Sequence, residues 1–171
     1  MSKAFTRESD DEPERPVARP VSALPPGAKN YLTLDIAELI RHDLEELQKA
    51  KRLVASEAGP GDEAEAKRKL QLITQKMREL EEKLRTAEVV SPPAPPWEQV
   101  RFGATVRVRD EAGEETRHRI VGAGDTDMDR DWISWVSPIA RALLNRRVGD
   151  KVKIRVPAGE KTLEILGIGY E

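Results

Sequence analysis

One helix-breaking run, Ala58-Gly59-Pro60-Gly61, does most to limit what this chain can become, because it lies between two apolar stripes of the same period. After it, Leu70, Ile73, Met77, Leu80, Leu84 and Ala87 are spaced 3, 4, 3, 4, 3. Before it, Ala37, Ile40, Leu44, Leu47, Lys51 and Val54 follow the same spacing, with one charged intrusion. That is the a/d seam of a coiled coil, which leaves each helix with a narrow apolar face that needs a partner. Glycine and proline cannot continue a helix, and a short loop makes the other arm the nearest partner. The pattern therefore predicts an antiparallel helical hairpin over residues 31–90. Thr33 is placed to cap the first arm, with Asp35 and Glu38 in its first turn. Arms of about 24–27 residues would reach roughly 36–40 Å.

Composition agrees with a rod. Charged residues are 35% of the chain and hydrophobic residues 38%, too polar for one compact core of 171 residues. Residues 31–90 carry eleven basic and thirteen acidic side chains, which suits two helices with a two-in-seven seam. Residues 1–30 are proline-rich, hold five bases and five acids, and read as a disordered tail. Residues 91–97, Ser-Pro-Pro-Ala-Pro-Pro-Trp, read as a stiff linker. With no cysteine there is neither a disulfide framework nor a thiolate site. A membrane-spanning run and a secretory signal are both missing from the pattern, which points to a cytoplasmic protein. A net charge of −2 argues against non-specific coating of nucleic acid.

Residues 98–171 change period. Val100, Phe102, Ala104, Val106 and Val108 alternate as one strand face. Asp110-Glu111-Ala112-Gly113 turns into a second strand near 115–121, and residues 132–136 read as a third. Ser137 caps a helix with Pro138 at its first position, running from Ile139 to Leu144. Val148-Gly149-Asp150 breaks it. Val152, Ile154 and Val156 alternate, Pro157-Ala158-Gly159 turns, and Leu163 and Ile165 close the sheet. The expected class is α+β, an antiparallel sheet with one helix.

These residues resemble a known family. Val100-Arg101-Phe102-Gly103-Ala104, Arg119-Ile120-Val121-Gly122, Ser137-Pro138-Ile139-Ala140-Arg141-Ala142-Leu143-Leu144, Val148-Gly149-Asp150 and Pro157-Ala158-Gly159-Glu160 are similar, in order and spacing, to the C-terminal domain of the Gre transcript-cleavage factors. Ser2-Lys3-Ala4-Phe5-Thr6 and the run from Leu24 to Thr33 look like the extended start of GreB-type members. The resemblance implies a coiled-coil hairpin, residues 31–90, followed by an FKBP-like domain over 98–171. It implies a monomeric transcription elongation factor that binds bacterial RNA polymerase at its secondary channel and reaches the RNA 3′ end only indirectly. DNA-binding would come through that complex. The factor would not be an enzyme itself, would have no cofactor of its own, and would share a Mg²⁺ with the polymerase active site.

Gly61-Asp62-Glu63-Ala64-Glu65-Ala66 keeps the family's acidic spacing at the tip but lacks its Asn and aromatic. Both arms are shorter than the family pattern by about five or six residues, roughly 8 Å of reach. That favours modulation or inhibition of elongation over stimulated cleavage. Asp62 and Glu65 are the candidate metal-sharing acids, and the same spacing is that of a capping box. Lys67, Arg68 and Lys69 are candidates for approaching RNA, or a solvated face. Ser137, Pro138 and Ile139 are the polymerase-contact candidates, in a segment that also starts a helix. Here Val136 stands where GreB-type proteins commonly place Asp.

Other patterns carry less. Residues 125–131 fail the EF-hand pattern, with Arg130 at the glycine and Val136 at the bidentate acid, and read as a polar surface loop. His42 and His118 are isolated, and Gly122-Ala123-Gly124 lacks the third glycine of a dinucleotide loop. Trp97, Trp132 and Trp135 read as core or linker anchors. Two alternatives of other classes remain: a peptidyl-prolyl isomerase, disfavoured by two Phe and two Tyr in the chain, and a coiled-coil dimer, disfavoured by the loop.

Overall fold

A computed structural model describes residues 24–57, 59, 61–156 and 159–170. The expectations for residues 1–23, Ala58, Pro60, Pro157 and Ala158 lie outside the described residues. The chain enters through a turn, closed by Ala28 N–H donating to Pro25 O at 2.9 Å. It continues as β1 (Asn30–Thr33), α1 (Leu34–Glu57), α2 (Glu63–Thr86) and β2 (Ala87–Val90). Then follow β3 (Thr105–Asp110), β4 (Glu115–Val121), β5 (Trp132–Ser134), α3 (Pro138–Leu143), β6 (Lys151–Val156) and β7 (Gly159–Gly169).

The two helices are 24 residues each, so each is about 36 Å long. The expected seam is the one they use: Leu44, Leu47, Lys51 and Val54 face inward half-buried, as do Leu70, Ile73, Met77, Leu80 and Leu84. Two helices cannot fully enclose a seam. Accordingly α2 buries no residue completely, and the buried residues of α1, Ile36, Ala37 and Ile40, cluster at its base. There the chain adds a device the periodicity does not show. β1 pairs in parallel with β2, Asn30 opposite Ala87 through Thr33 opposite Val90. A parallel pair needs a long crossover connection, and the helical hairpin is that crossover. Thr33 does not cap α1. The β1 ladder holds it, its side chain lies near Gly103, and its buried Oγ1 has no hydrogen-bond partner.

The second sheet has the order β5-β4-β3-β7-β6. Four of its strands are antiparallel as expected. β5 is different: it runs parallel to β4, Arg119 opposite Trp132, because the loop 122–131 carries the chain back before β5 begins. The sheet is therefore mixed, and the fold remains α+β. The first strand is also shorter than its alternation suggests. Gly103 at φ 84° turns residues 101–104 out of the ladder, although Val100 and Ala104 stay fully buried. α3 covers the inner face over Val106, Val108, Ile120, Val152, Ile154, Leu163 and Ile165. Its start is as expected: Pro138 is at the first turn and Ser137 Oγ accepts from Ala140 N–H at 3.2 Å. Ser137→Ala should cost about 1 kcal/mol, read as a lower urea midpoint with unchanged m-value. Among the described residues no helix is long and apolar enough to cross a membrane.

Candidate functional site

At the far end of the rod, Asp62 occupies the N-cap position of α2 with φ −100° and ψ 4°, and its side chain makes no capping bond. Its backbone closes the turn: Asp62 N–H donates to Gly59 O at 3.1 Å, and Ala66 N–H to Asp62 O at 2.9 Å. Glu65 pairs forward with Lys69 at 2.6 Å. The expected capping box is therefore not made. Hydrogen bonding to the Lys69 ammonium, and its charge, hold the Glu65 carboxyl below the usual carboxylate value. Both acids are exposed, and together with Val54, Glu57, Ala66 and Lys69 they line a shallow recess at the tip. Lys67 and Arg68 are exposed beside it, whereas Lys69 is engaged by Glu65. No group of three or more His, Cys, Asp or Glu able to hold a metal occurs among the described residues.

The contact candidates lie at the other end of the molecule. Ser137 Oγ is occupied as the α3 cap, Ile139 packs against the core, and Pro138 is exposed. The tip and contact candidates thus belong to different parts of the molecule, linked by the rod.

What connects them is the seat of the rod, which the sequence reading missed. Leu32, Ile36 and Ile40 pack on Val121, with Leu44, Leu80, Leu84 and Trp132 around them. Tyr31 sits between Phe102 and Trp135, ring centroids 5.4 and 5.2 Å away. Arg119 reaches Asp35 at 2.8 Å and lies over Trp132 at 4.9 Å. Lys83 of α2 pairs with Asp125, whose side chain is only 8% exposed. The loop read as polar surface therefore begins with a buried carboxylate. The one available signal was Gly122-Ala123-Gly124: small residues just before a charge allow close approach. The aromatics fill this junction, and Trp97 packs on Tyr170 at 5.5 Å. This use of the rings gives the isomerase alternative no support.

His118 shares the inner face. Burial pushes its imidazole below its ordinary value of 6.5, only partly opposed by Asp131. A base depressed on folding gives stability that is complete above the unfolded value and lost as pH falls through the folded one. His118→Gln should flatten the fall in urea midpoint below pH 6.5, measured from pH 7.5 down to 5.

A helical rod with an acidic tip, seated on a mixed sheet with one helix, places the chain among transcription elongation factors once the comparisons are added. The family described as "Transcription elongation factor, GreA/GreB, C-term" matches residues 94–170. The chain is 35% identical over 154 residues to transcription elongation factor GreB of Neisseria meningitidis serogroup B, covering 83% of this chain and 94% of that protein. It is also 35% identical over 150 residues to GreA of Beijerinckia indica, covering 84% and 95%. A solved GreA/GreB factor from Nitrosomonas europaea is 28% identical, with coverage of 83% and 100% and a TM-score of 0.41. The chain belongs to the GreA/GreB family and is GreB-like.

Proposed function

We propose that this chain binds bacterial RNA polymerase at the secondary channel, with the sheet domain holding the rim and the rod entering. Ser137, Pro138 and Ile139 would lie on the holding surface, Pro138 being its exposed member. The observation that carries the reading is the tip. Asp62 and Glu65 are exposed at the end of a rod of about 36 Å, and Asp62 is not used as a side-chain cap. Mg²⁺ sites of this kind take one or two carboxylates, with the other ligands supplied from elsewhere. Asp62 and Glu65 fit that share and are too few for a resident ion. The chemistry a second Mg²⁺ supplies in a polymerase site is activation of the attacking water. Lys67 and Arg68 would face the RNA 3′ end.

A second reading, modulation without cleavage, is favoured by a specific observation: Glu65 is already engaged by Lys69. Arms shorter by about five or six residues would also place the acids roughly 8 Å back. A backtracked elongation complex distinguishes the two. RNA shortening that Asp62→Ala lowers at least about tenfold, the size of losing one charge-assisted contact, supports cleavage stimulation. Slower elongation without shortening, unchanged in Asp62→Ala, supports occlusion. No effect on either process, with no binding to polymerase, overturns the proposal.

A further inference from the structure

Lys69 stands in the second turn of α2, one turn beyond Glu65 on the same helix face. Its ammonium lies 2.6 Å from Glu65 Oε1, and the charge of Asp62 acts on it as well. Among the described residues, the tip recess is lined by three carboxylates, those of Glu57, Asp62 and Glu65, and by one ammonium, that of Lys69. The basic run 67–69 is therefore not uniform. Lys67 and Arg68 are exposed beside the recess, and of the three only Lys69 closes on an acid of the tip. Stability explains little of this contact. The Lys69 side chain is 58% exposed and that of Glu65 67%, and ion pairs so open to water contribute little to folding. The effect of the contact falls on the acids instead. An ammonium and a divalent cation compete for the same carboxylate lone pairs, and Glu65 already accepts from one such cation.

We infer that Lys69 is a mask on the tip, an internal cation that holds Glu65 and partly neutralises Asp62. A divalent ion then binds both acids only after the ammonium has left. The inference rests on the metal-sharing role proposed above for these acids and names what regulates it. Asp62, whose side chain makes no capping bond, is the open half of the pair, and Glu65 is the closed half. Opening the mask is easy. An exposed ion pair is worth at most about fivefold in an equilibrium constant. The flexible lysine stem also lets the ammonium swing clear without moving the backbone. The mask is thus weak enough for a metal-bearing polymerase site to displace, and strong enough to lower the affinity of the free rod. Lys69 thereby sets the balance between cleavage and occlusion.

Mn²⁺ tests this on the full chain without polymerase, because it takes oxygen ligands as Mg²⁺ does and broadens nearby amide signals. In about 0.15 M salt, broadening of residues 62–66 should reach its midpoint at a two- to fivefold lower Mn²⁺ concentration in Lys69→Met than in the parent. Signals of residues 163–165 should keep their intensity. Lys69→Arg keeps the cation and should keep the parent midpoint. Lys67→Met removes a charge of the same tip without touching the Glu65 contact, and should shift the midpoint less than about 1.5-fold. Adding Glu65→Gln to Lys69→Met should abolish the gain. All these positions are exposed, so the variants should fold as the parent does. A Lys69→Met midpoint equal to that of the parent, a gain matched by Lys67→Met or Lys69→Arg, or no broadening at residues 62–66 overturns the inference. A backtracked elongation complex supplies the second arm. RNA shortening two- to fivefold faster with Lys69→Met than with the parent, at equal polymerase occupancy, supports the mask, and equal rates overturn it. Tighter Mn²⁺ binding with no shortening by either protein supports the mask and overturns the metal-sharing role.

Discussion

Gly122→Ala should unseat the rod. A Cβ at this glycine would overlap the Tyr31 carbonyl oxygen and stand 2.6 Å from Asp125 Oδ2, under the 3.0 Å that real side chains respect. Neither neighbour can easily give way. Tyr31 is tied into the β1–β2 ladder and its ring is held between Phe102 and Trp135. Asp125 is held by Lys83 and by its own N–H donating to Gly122 O at 3.1 Å. Forcing a methyl into a packed site costs about 1–3 kcal/mol and sometimes more, and the backbone contact places this case at the upper end. The matched control is Gly124→Ala, two residues on, where nothing lies within 4 Å and φ is not positive. Urea unfolding should show a lower midpoint for Gly122→Ala and a change within about 0.5 kcal/mol for Gly124→Ala. Function should follow geometry. Tilting a rod of about 36 Å by ten degrees moves its tip roughly 6 Å, far more than a metal ligand tolerates. Equal stability of the two variants would show that the seat is softer than the packing indicates.

Lys83→Met should be nearly as damaging, for an electrostatic reason. It leaves the Asp125 carboxylate, 8% exposed, without its ammonium partner. Removing one member of a buried pair costs about 3–5 kcal/mol, whereas removing both charges is often close to neutral. Lys83 is itself 29% exposed, so the lower figure applies, about 3 kcal/mol. For a chain of this size that lowers the melting temperature by roughly 6–12 °C. Lys83→Met/Asp125→Asn should recover more than half of the loss, since the amide keeps the shape and sheds the charge. A double variant no better than the single one would mean that Lys83 acts by packing its stem. The nearby Asp35–Arg119 pair is a useful contrast, because Asp35 is about half exposed and its loss should matter less.

The residues differ in how much they revealed before the fold was known. Leu70 through Leu84 announced a helix because a period of 3.5 is a property of the local chain, whereas Ala87, the last residue of that stripe, begins β2 instead. Ser137-Pro138 announced a helix start because a cap acts within four residues. The alternation of Val106 and Val108 was similarly legible. Thr33 misled: its position suits a cap, but a strand partner 57 residues away, Val90, holds its backbone. Asp62 and Glu65 kept a spacing that two kinds of contact share, and only the geometry showed that the capping bonds are not made. Lys83 and Asp125 are 42 residues apart, and no local pattern links them.

By itself, then, the sequence determined where helices start and stop, that two stripes must face each other, and that the rest is a sheet with one helix. These follow from periodicity, capping and turn chemistry, which act over a few residues. The tertiary structure alone decided how the rod is mounted: the β1–β2 clasp, the close approach at Gly122, the two ion pairs at the base and the mixed direction of β5. Each depends on groups distant in the chain meeting in three dimensions, where burial and desolvation set the energy, and no local period encodes such a meeting.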